Sequence, residues 1–436
     1  MWAALTGALC CVLATALSAA GVFEYVDVLF DTDVAWFLQG FSEGRGTGTG
    51  WGARSLVHPN VANFVNPPVR ALAAACAAIS VCAEPAQARL MLAMWVSPTA
   101  AALETSLLFL AIRGVSGSDA RASLVALMNL VLLPTLVYGA LPESFALTGS
   151  AFAAFFYLVS RTAAGRPVHA AWWLVVGTAV ASITLTNIWL FALGYTVTQA
   201  RDRGLTVSAV LAAARVAAGS LAATAALALV FGAAYDALSE YRTELQQFRE
   251  LRAPRERVAE RQWPAVIPET IGLAVSGAFM SFPKALGDTV LPPRPSIQGP
   301  ALGLDTTRGT IGARAEPSLQ VNFRNTSADW GTLLALVAVV GAAGAAVLSR
   351  GPQRLVYQVA MVLIAANWIF HSIFGIELFL YAKHWSVAVA VLLAAWLDLK
   401  RPGPHAGTIV FVLLIVVAAW RDVSVFQHMF RSLPGS

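Results

Sequence analysis

The sequence predicts an all-α polytopic membrane protein of about 10–11 transmembrane helices, with an interfacial helix after the first outer loop. Three observations predict it. First, 58% of the residues are hydrophobic and mean hydropathy is +0.67, which lies outside the range of soluble globular chains. Second, only 12% of the residues are charged, and 22 of those charges fall between 235 and 330, so a water-facing insert interrupts an otherwise apolar chain. Third, the basic residues elsewhere sit in short connections between apolar runs, where a membrane protein keeps them. The same placement excludes a nucleic-acid partner despite a pI near 9.2, because the net charge of +5 is spread over those connections and not gathered into a patch.

The first apolar run, 2–22, is about 20 residues long and matches the hydrocarbon core of a bilayer. With no basic leader region and no A-x-A cleavage site, it reads as a retained signal anchor. The segment 68–83 opens on Pro67-Pro68 and carries Arg70, which suits a helix lying along the bilayer better than a span. Further runs cover 89–112, 122–141, 145–160, 170–198, 205–234, 331–349, 355–374, 385–398 and 406–421. Cys10, Cys11, Cys76 and Cys82 lie in apolar runs without metal spacing and read as small apolar fillers. Three modules result: 1–234, an extramembrane insert 235–330, and 331–436.

Five basic connections set the expected orientation: Arg113 and Arg121, Arg161 and Arg166, Arg201 and Arg203, Arg350 and Arg354, and Lys400 and Arg401. The positive-inside rule places all of them in the cytoplasm. They can share one face only if 68–83 does not span and if 170–198 enters and leaves as two short helices broken near Thr184 to Asn187. This topology brings residues 24–66, Glu143, the insert and the turn from Gly375 to Lys383 together on the outer face of the plasma membrane. Counting every apolar run as one span moves the insert to the other side, an arrangement the Arg-rich stretch Arg242 to Arg261 favours.

The first outer loop is the most informative stretch. Glu24, Asp27, Asp31 and Asp33 precede Trp36 and Phe37, a glycine-rich turn follows from Gly44 to Gly52, and then come Arg54, His58-Pro59 and Pro67-Pro68. An acidic juxtamembrane turn with aromatic interface anchors would carry the same residues. The spacing of Asp31 and Asp33 adds that, in extended chain, two carboxylates point the same way and can share a hard divalent cation such as Mg or Mn.

A multi-pass chain with an acidic pair beside aromatics in its first outer loop, then a His-Pro or Pro-Pro motif entering a short apolar helix, resembles the GT-C superfamily of integral-membrane glycosyltransferases. That superfamily includes the protein mannosyltransferases and the lipid A aminoarabinose transferases. The helix ending in Arg113, the turn Pro142-Glu143-Ser144-Phe145 and the late stretch Glu377-Leu378-Phe379-Leu380-Tyr381 extend the likeness, which covers residues 1–200 best. No Trp-Trp-Asp-Tyr type signature is present; Trp172-Trp173 lacks the acid and sits in a span.

The resemblance implies a GT-C-like bundle and transfer of a sugar from a polyprenyl-phosphate donor to a lipid-linked or small acceptor. Asp33, with Phe37 four residues later, matches the family's acidic position and would accept the proton of the acceptor hydroxyl; Asp31 is the second choice or a metal partner. Arg54, His58, Lys383 and His384 are the candidates for holding phosphate, and Glu143 is a candidate for acceptor or metal, or for capping the helix that follows it. A transporter or flippase is the competing expectation, since Glu104 and Arg215 fall inside spans and Asn187 at the proposed break. A Glu104–Arg215 pair would also serve as a helix-to-helix contact.

Overall fold

The computed structural model describes residues 1–19, 58–79, 85–201, 204–234, 330–374, 383–399 and 405–431, with a short strand pair at Leu304–Asp305 and Thr310–Ile311. The helices are Trp2–Ala19 (α1), Val61–Ala78 (α2), Pro85–Met94 (α3), Val96–Ser116 (α4), Asp119–Leu130 (α5), Leu133–Ala140 (α6), Phe145–Ala163 (α7), Ala170–Ile183 (α8), Ile188–Gln199 (α9), Val207–Ala234 (α10), Trp330–Leu348 (α11), Pro352–Phe374 (α12), Lys383–Leu393 (α13) and Ala406–Arg431 (α14). The protein is an all-α membrane protein. Met91–Ser116, Val207–Ala234, Pro352–Phe370 and Ala406–Val423 are long and apolar enough to cross a bilayer. The bent pair α5 and α6, at 64° to each other, makes a fifth if counted as one span. Trp2–Leu17, Ala170–Ile183 and Leu333–Leu348 are shorter apolar helices.

Lipid tails are as apolar as leucine, so burial from water does not hold such helices together; close packing of small residues and hydrogen bonds between helices do. The contact of α1 with α4 shows this: the Ser106 hydroxyl donates to the Ala3 carbonyl at 2.9 Å, and Cys10 packs on Ala101. Lipid-facing surfaces remain apolar and exposed, as at Val210, Leu221, Leu229 and Val230 on α10 and Val412, Leu413 and Val416 on α14. An aromatic cluster of Phe155, Trp173, Phe191 and Tyr195 ties α7 to α8 and α9.

The run 170–198 breaks where expected. A 3-10 turn at Leu185–Asn187 separates α8 from α9, and the arms run antiparallel, because Trp173 near the start of α8 meets Tyr195 near the end of α9 at 4.8 Å. Both arms therefore return to the end of the bundle where α7 finishes; there Arg201 Nη1 donates to the Thr162 and Ala163 carbonyls at 2.7 and 2.9 Å.

Contacts gather the basic connections at that same end. Gln353 Nε2 donates to the Val115 carbonyl at 3.0 Å, joining the start of α12 to the end of α4. Arg121 Nη1 reaches Asp398 Oδ1 at 2.6 Å and the Tyr357 hydroxyl donates to Asp398 Oδ2 at 2.8 Å, which brings the starts of α5 and α12 together at Asp398. Arg203, Lys400 and Arg401 lie outside the described residues.

The expected interfacial helix starts earlier than Pro68. α2 begins at Val61 and contains both prolines, because a buried stripe of Val61, Val65, Val69 and Ala73 at four-residue spacing extends the packing face N-terminally. α2 is not among the helices apolar enough to span, since Asn63 and Asn66 lie on its buried side.

Candidate functional site

At the end of the bundle opposite the basic connections, the start of α2 enters the tip of the α8–α9 hairpin. Asn60 supplies most of the joint: its backbone N–H donates to the Ser182 carbonyl at 3.1 Å, and its Nδ2 donates to Ser182 Oγ at 3.1 Å and to the Thr224 carbonyl of α10 at 2.9 Å. Asn63 Nδ2 donates to Asn60 Oδ1 at 2.8 Å. Ser182 and Thr224 hydroxyls are 3.3 Å apart, and Thr148 of α7 reaches Thr184 at 3.4 Å. Buried polar groups require partners, and here they find them across four helices.

His58 Nδ1 lies 2.6 Å from the Ile183 carbonyl. A carbonyl only accepts, so Nδ1 carries a proton. Asn187, the residue before α9, is 2% exposed, and its Nδ2 has no hydrogen-bond partner among the described residues. A buried amide donor thus sits at the start of a half-helix, next to the Thr148–Thr184 contact.

Glu143 and His384 lie at the same end. Ser97 Oγ donates to the Glu143 carbonyl at 3.1 Å and accepts from the Glu143 N–H at 3.0 Å, clamping the turn before α7 to the start of α4. Glu143 is 1% exposed, and the N-cap position of α7 belongs to Ser144. Phe145 packs at a tilt against Tyr138 at 5.0 Å and against His384 at 5.8 Å, so the first turns of α7 and α13 share one aromatic contact.

Lys383 is placed differently from expectation. It is fully buried, and its Nζ meets both oxygens of Glu104 at 2.8 Å and Thr135 Oγ1 at 2.8 Å. Asn129 Nδ2 also donates to Glu104 Oε1, at 2.9 Å. The lysine expected to hold phosphate at an interface therefore neutralises an intramembrane carboxylate, as a buried charge must be neutralised. The expected Glu104–Arg215 pair does not form: Arg215 is exposed on α10. Gly149 makes room for the pair, since a Cβ there would collide with Glu104 Oε2 and Lys383 Cε.

An apolar cavity of about 540 Å³ adjoins the polar joint. It starts at Val61 and Ile183 and continues between the α2–α3 wall, through Val65, Leu72 and Leu92, and the faces of α4 and α7 as far as Leu107 and Ala154. Its lining is almost wholly apolar apart from Thr99 and Ser150, whose hydroxyl is bonded to the Ala100 carbonyl at 2.6 Å. A site with an apolar body and a buried polar end accommodates an amphiphile.

The cysteine expectation holds for Cys10 and Cys11, which are free thiols in α1. It fails for Cys76, which is disulfide-bonded. Cys82, outside the described residues, is the remaining cysteine of the chain. The apolar surroundings of Cys76 gave no sign of the bond.

Asp31, Asp33 and Arg54 lie outside the described residues, as do residues 24–57, nearly all of the insert and the turn 375–382. Among the described residues, no three His, Cys, Asp or Glu side chains form a metal-binding group. Of the expected site residues, the fold brings His58, Glu143 and His384 to one end of the bundle and buries Lys383. Asn60, Asn63 and Ser182 were missed by sequence reasoning; only their position next to His58 and the helix break could have drawn attention to them. No family model, curated protein or solved structure matches the chain.

Proposed function

We propose that the protein is a GT-C-type membrane glycosyltransferase that moves a sugar from a polyprenyl-phosphate-linked donor to a lipid-linked or small acceptor. The observation that carries the reading is the apolar cavity ending at the polar joint of His58, Asn60 and Ser182, which fits a lipid chain with a polar head. In the reaction, the acceptor hydroxyl oxygen bonds to the anomeric carbon as the bond from that carbon to the phosphate oxygen breaks. The leaving group departs as an anion and needs no general acid. The loop carboxylate Asp33 accepts the hydroxyl proton, with Asp31 as its neighbour. Asn187 Nδ2 and the start of α9 offer donors to the departing phosphate. The two loop aspartates are also a donor pair suited to Mg or Mn, which would neutralise phosphate charge.

The proposal places the protein in the plasma membrane as a GT-C-like bundle of about 10–11 spans, with the site facing outward. The gathering of basic connections at the opposite end supports that orientation, and so does the disulfide at Cys76, because disulfides persist in oxidising compartments. Transfer from radiolabelled polyprenyl-phosphate donors by the purified protein tests the function. Activity in the wild type and its loss in an equally expressed Asp33→Asn variant is the expected result; unchanged transfer by Asp33→Asn would remove the proposed base.

The discontinuous α8–α9 pair, with buried Asn187 at its tip, favours a second reading as a transporter or flippase, since half-helices commonly build transport sites. Loss of substrate movement in an equally expressed and equally stable Asn187→Ala variant, with no effect of Asp33→Asn, would select it.

A further inference from the structure

At the basic end, away from the site above, a cavity of about 680 Å³ opens between α9 and α12. Its walls have one order of polarity. Just past the end of α9, Arg201 stands at the outer limit, with Val197 one turn deeper; on α12, Arg354 lies in the first turn and Leu355, Met361 and Val362 follow inward. From Arg354 to Met361 is about 10 Å of helix rise, so the cationic rim passes into apolar lining within two turns. Gln358 is the remaining polar side chain of the cavity, and no acidic residue lines it.

The two arginines differ in their engagement. Arg201 is bonded to the carbonyls that finish α7. Arg354 is exposed, and among the described residues its guanidinium has no hydrogen-bond or ion-pair partner. It also stands in the first turn of a 23-residue helix, whose positive dipole end adds to its charge. Gly351, at φ +79°, makes the left-handed turn that lets the chain double back into that helix beside the cavity. Arginine suits phosphate contact better than lysine because its planar fork can donate two parallel bonds.

We infer that this cavity is a binding site for an anionic phospholipid, with the headgroup phosphate at Arg354 and Arg201 and an acyl chain against Leu355, Met361 and Val362. The occupant is a lipid and not a free anion, because the apolar half of the cavity would be left uncovered by inorganic phosphate. Basic pockets between membrane helices on the side of the anionic leaflet recognise such headgroups.

Native mass spectrometry of the full-length protein, given phosphatidylglycerol and phosphatidylcholine with identical chains, tests the inference. The wild type should retain one phosphatidylglycerol in preference to phosphatidylcholine, and inorganic phosphate should not displace it. Arg354→Gln should lower that retention about fivefold. Met361→Trp, which fills the apolar half and leaves both arginines in place, should also lower it, whereas Arg166→Gln at the same end should not. Equal retention of both lipids, displacement by inorganic phosphate, or an equal loss in Arg166→Gln would overturn the site in favour of a generally basic surface.

Discussion

Lys383 and Glu104 are 279 positions apart, yet their ion pair is the most consequential contact in the core. Thr135 and Asn129 complete it, so four helices contribute to one neutral cluster, and Gly149 of a fifth leaves the space it needs. Removing one member leaves a buried charge, which costs about 3–5 kcal/mol; removing both is far less harmful. Lys383→Met or Glu104→Gln alone should therefore strongly lower the unfolding midpoint in denaturing detergent, and the double variant should recover most of the loss. Additive losses would contradict the pairing. Gly149→Ala should weaken the fold in the same assay by displacing both partners. Sequence alone showed that Glu104 and Lys383 were charges in an apolar chain, and Arg215 was the nearer candidate for Glu104. Pairing is a property of which helices touch, and no local pattern around residues 104 or 383 carries that information.

At the scale of elements, the α8–α9 break was legible because the basic connections on either side can share one face only if 170–198 enters and leaves as two short helices, and Asn187 lies near its middle. The α2 boundary was less legible: two prolines mark a helix start by propensity, but the buried stripe from Val61 to Ala73 overrides them. The Cys76 disulfide escaped notice because Cys76 lies in an apolar context that also suits a packed helix. Cys76 stands near the end of α2, which lines the apolar cavity. Cys76→Ser, or reduction of the wild type, should destabilise α2 by about 2 kcal/mol, read as faster proteolysis within 61–78. Unchanged proteolysis would show that the disulfide holds nothing in place.

For the whole molecule, charge placement was the most reliable guide. Among the described residues, the expectation that the basic connections share one end agrees with the contacts among Gln353, Val115, Arg121, Asp398, Arg201 and Thr162. The end facing them carries the polar joint and one end of the apolar cavity, so the two ends of the bundle differ in chemistry. The acidic loop expected to supply the base, with Asp31 and Asp33, lies outside the described residues, and its function rests on the resemblance and the reaction's need for a carboxylate.

The central claim is that the apolar cavity and its polar end receive a polyprenyl-phosphate lipid. Photolabelling of the purified full-length protein with a photoactivatable polyprenyl phosphate tests it most directly, with the labelled peptides located by mass spectrometry. Label should concentrate in 61–72, 95–107 and 147–154, which line the cavity, and should fall at least tenfold in Ala151→Trp, where the new side chain fills it. Label spread evenly over the lipid-facing helices α10 and α14, unchanged by Ala151→Trp, would contradict the account.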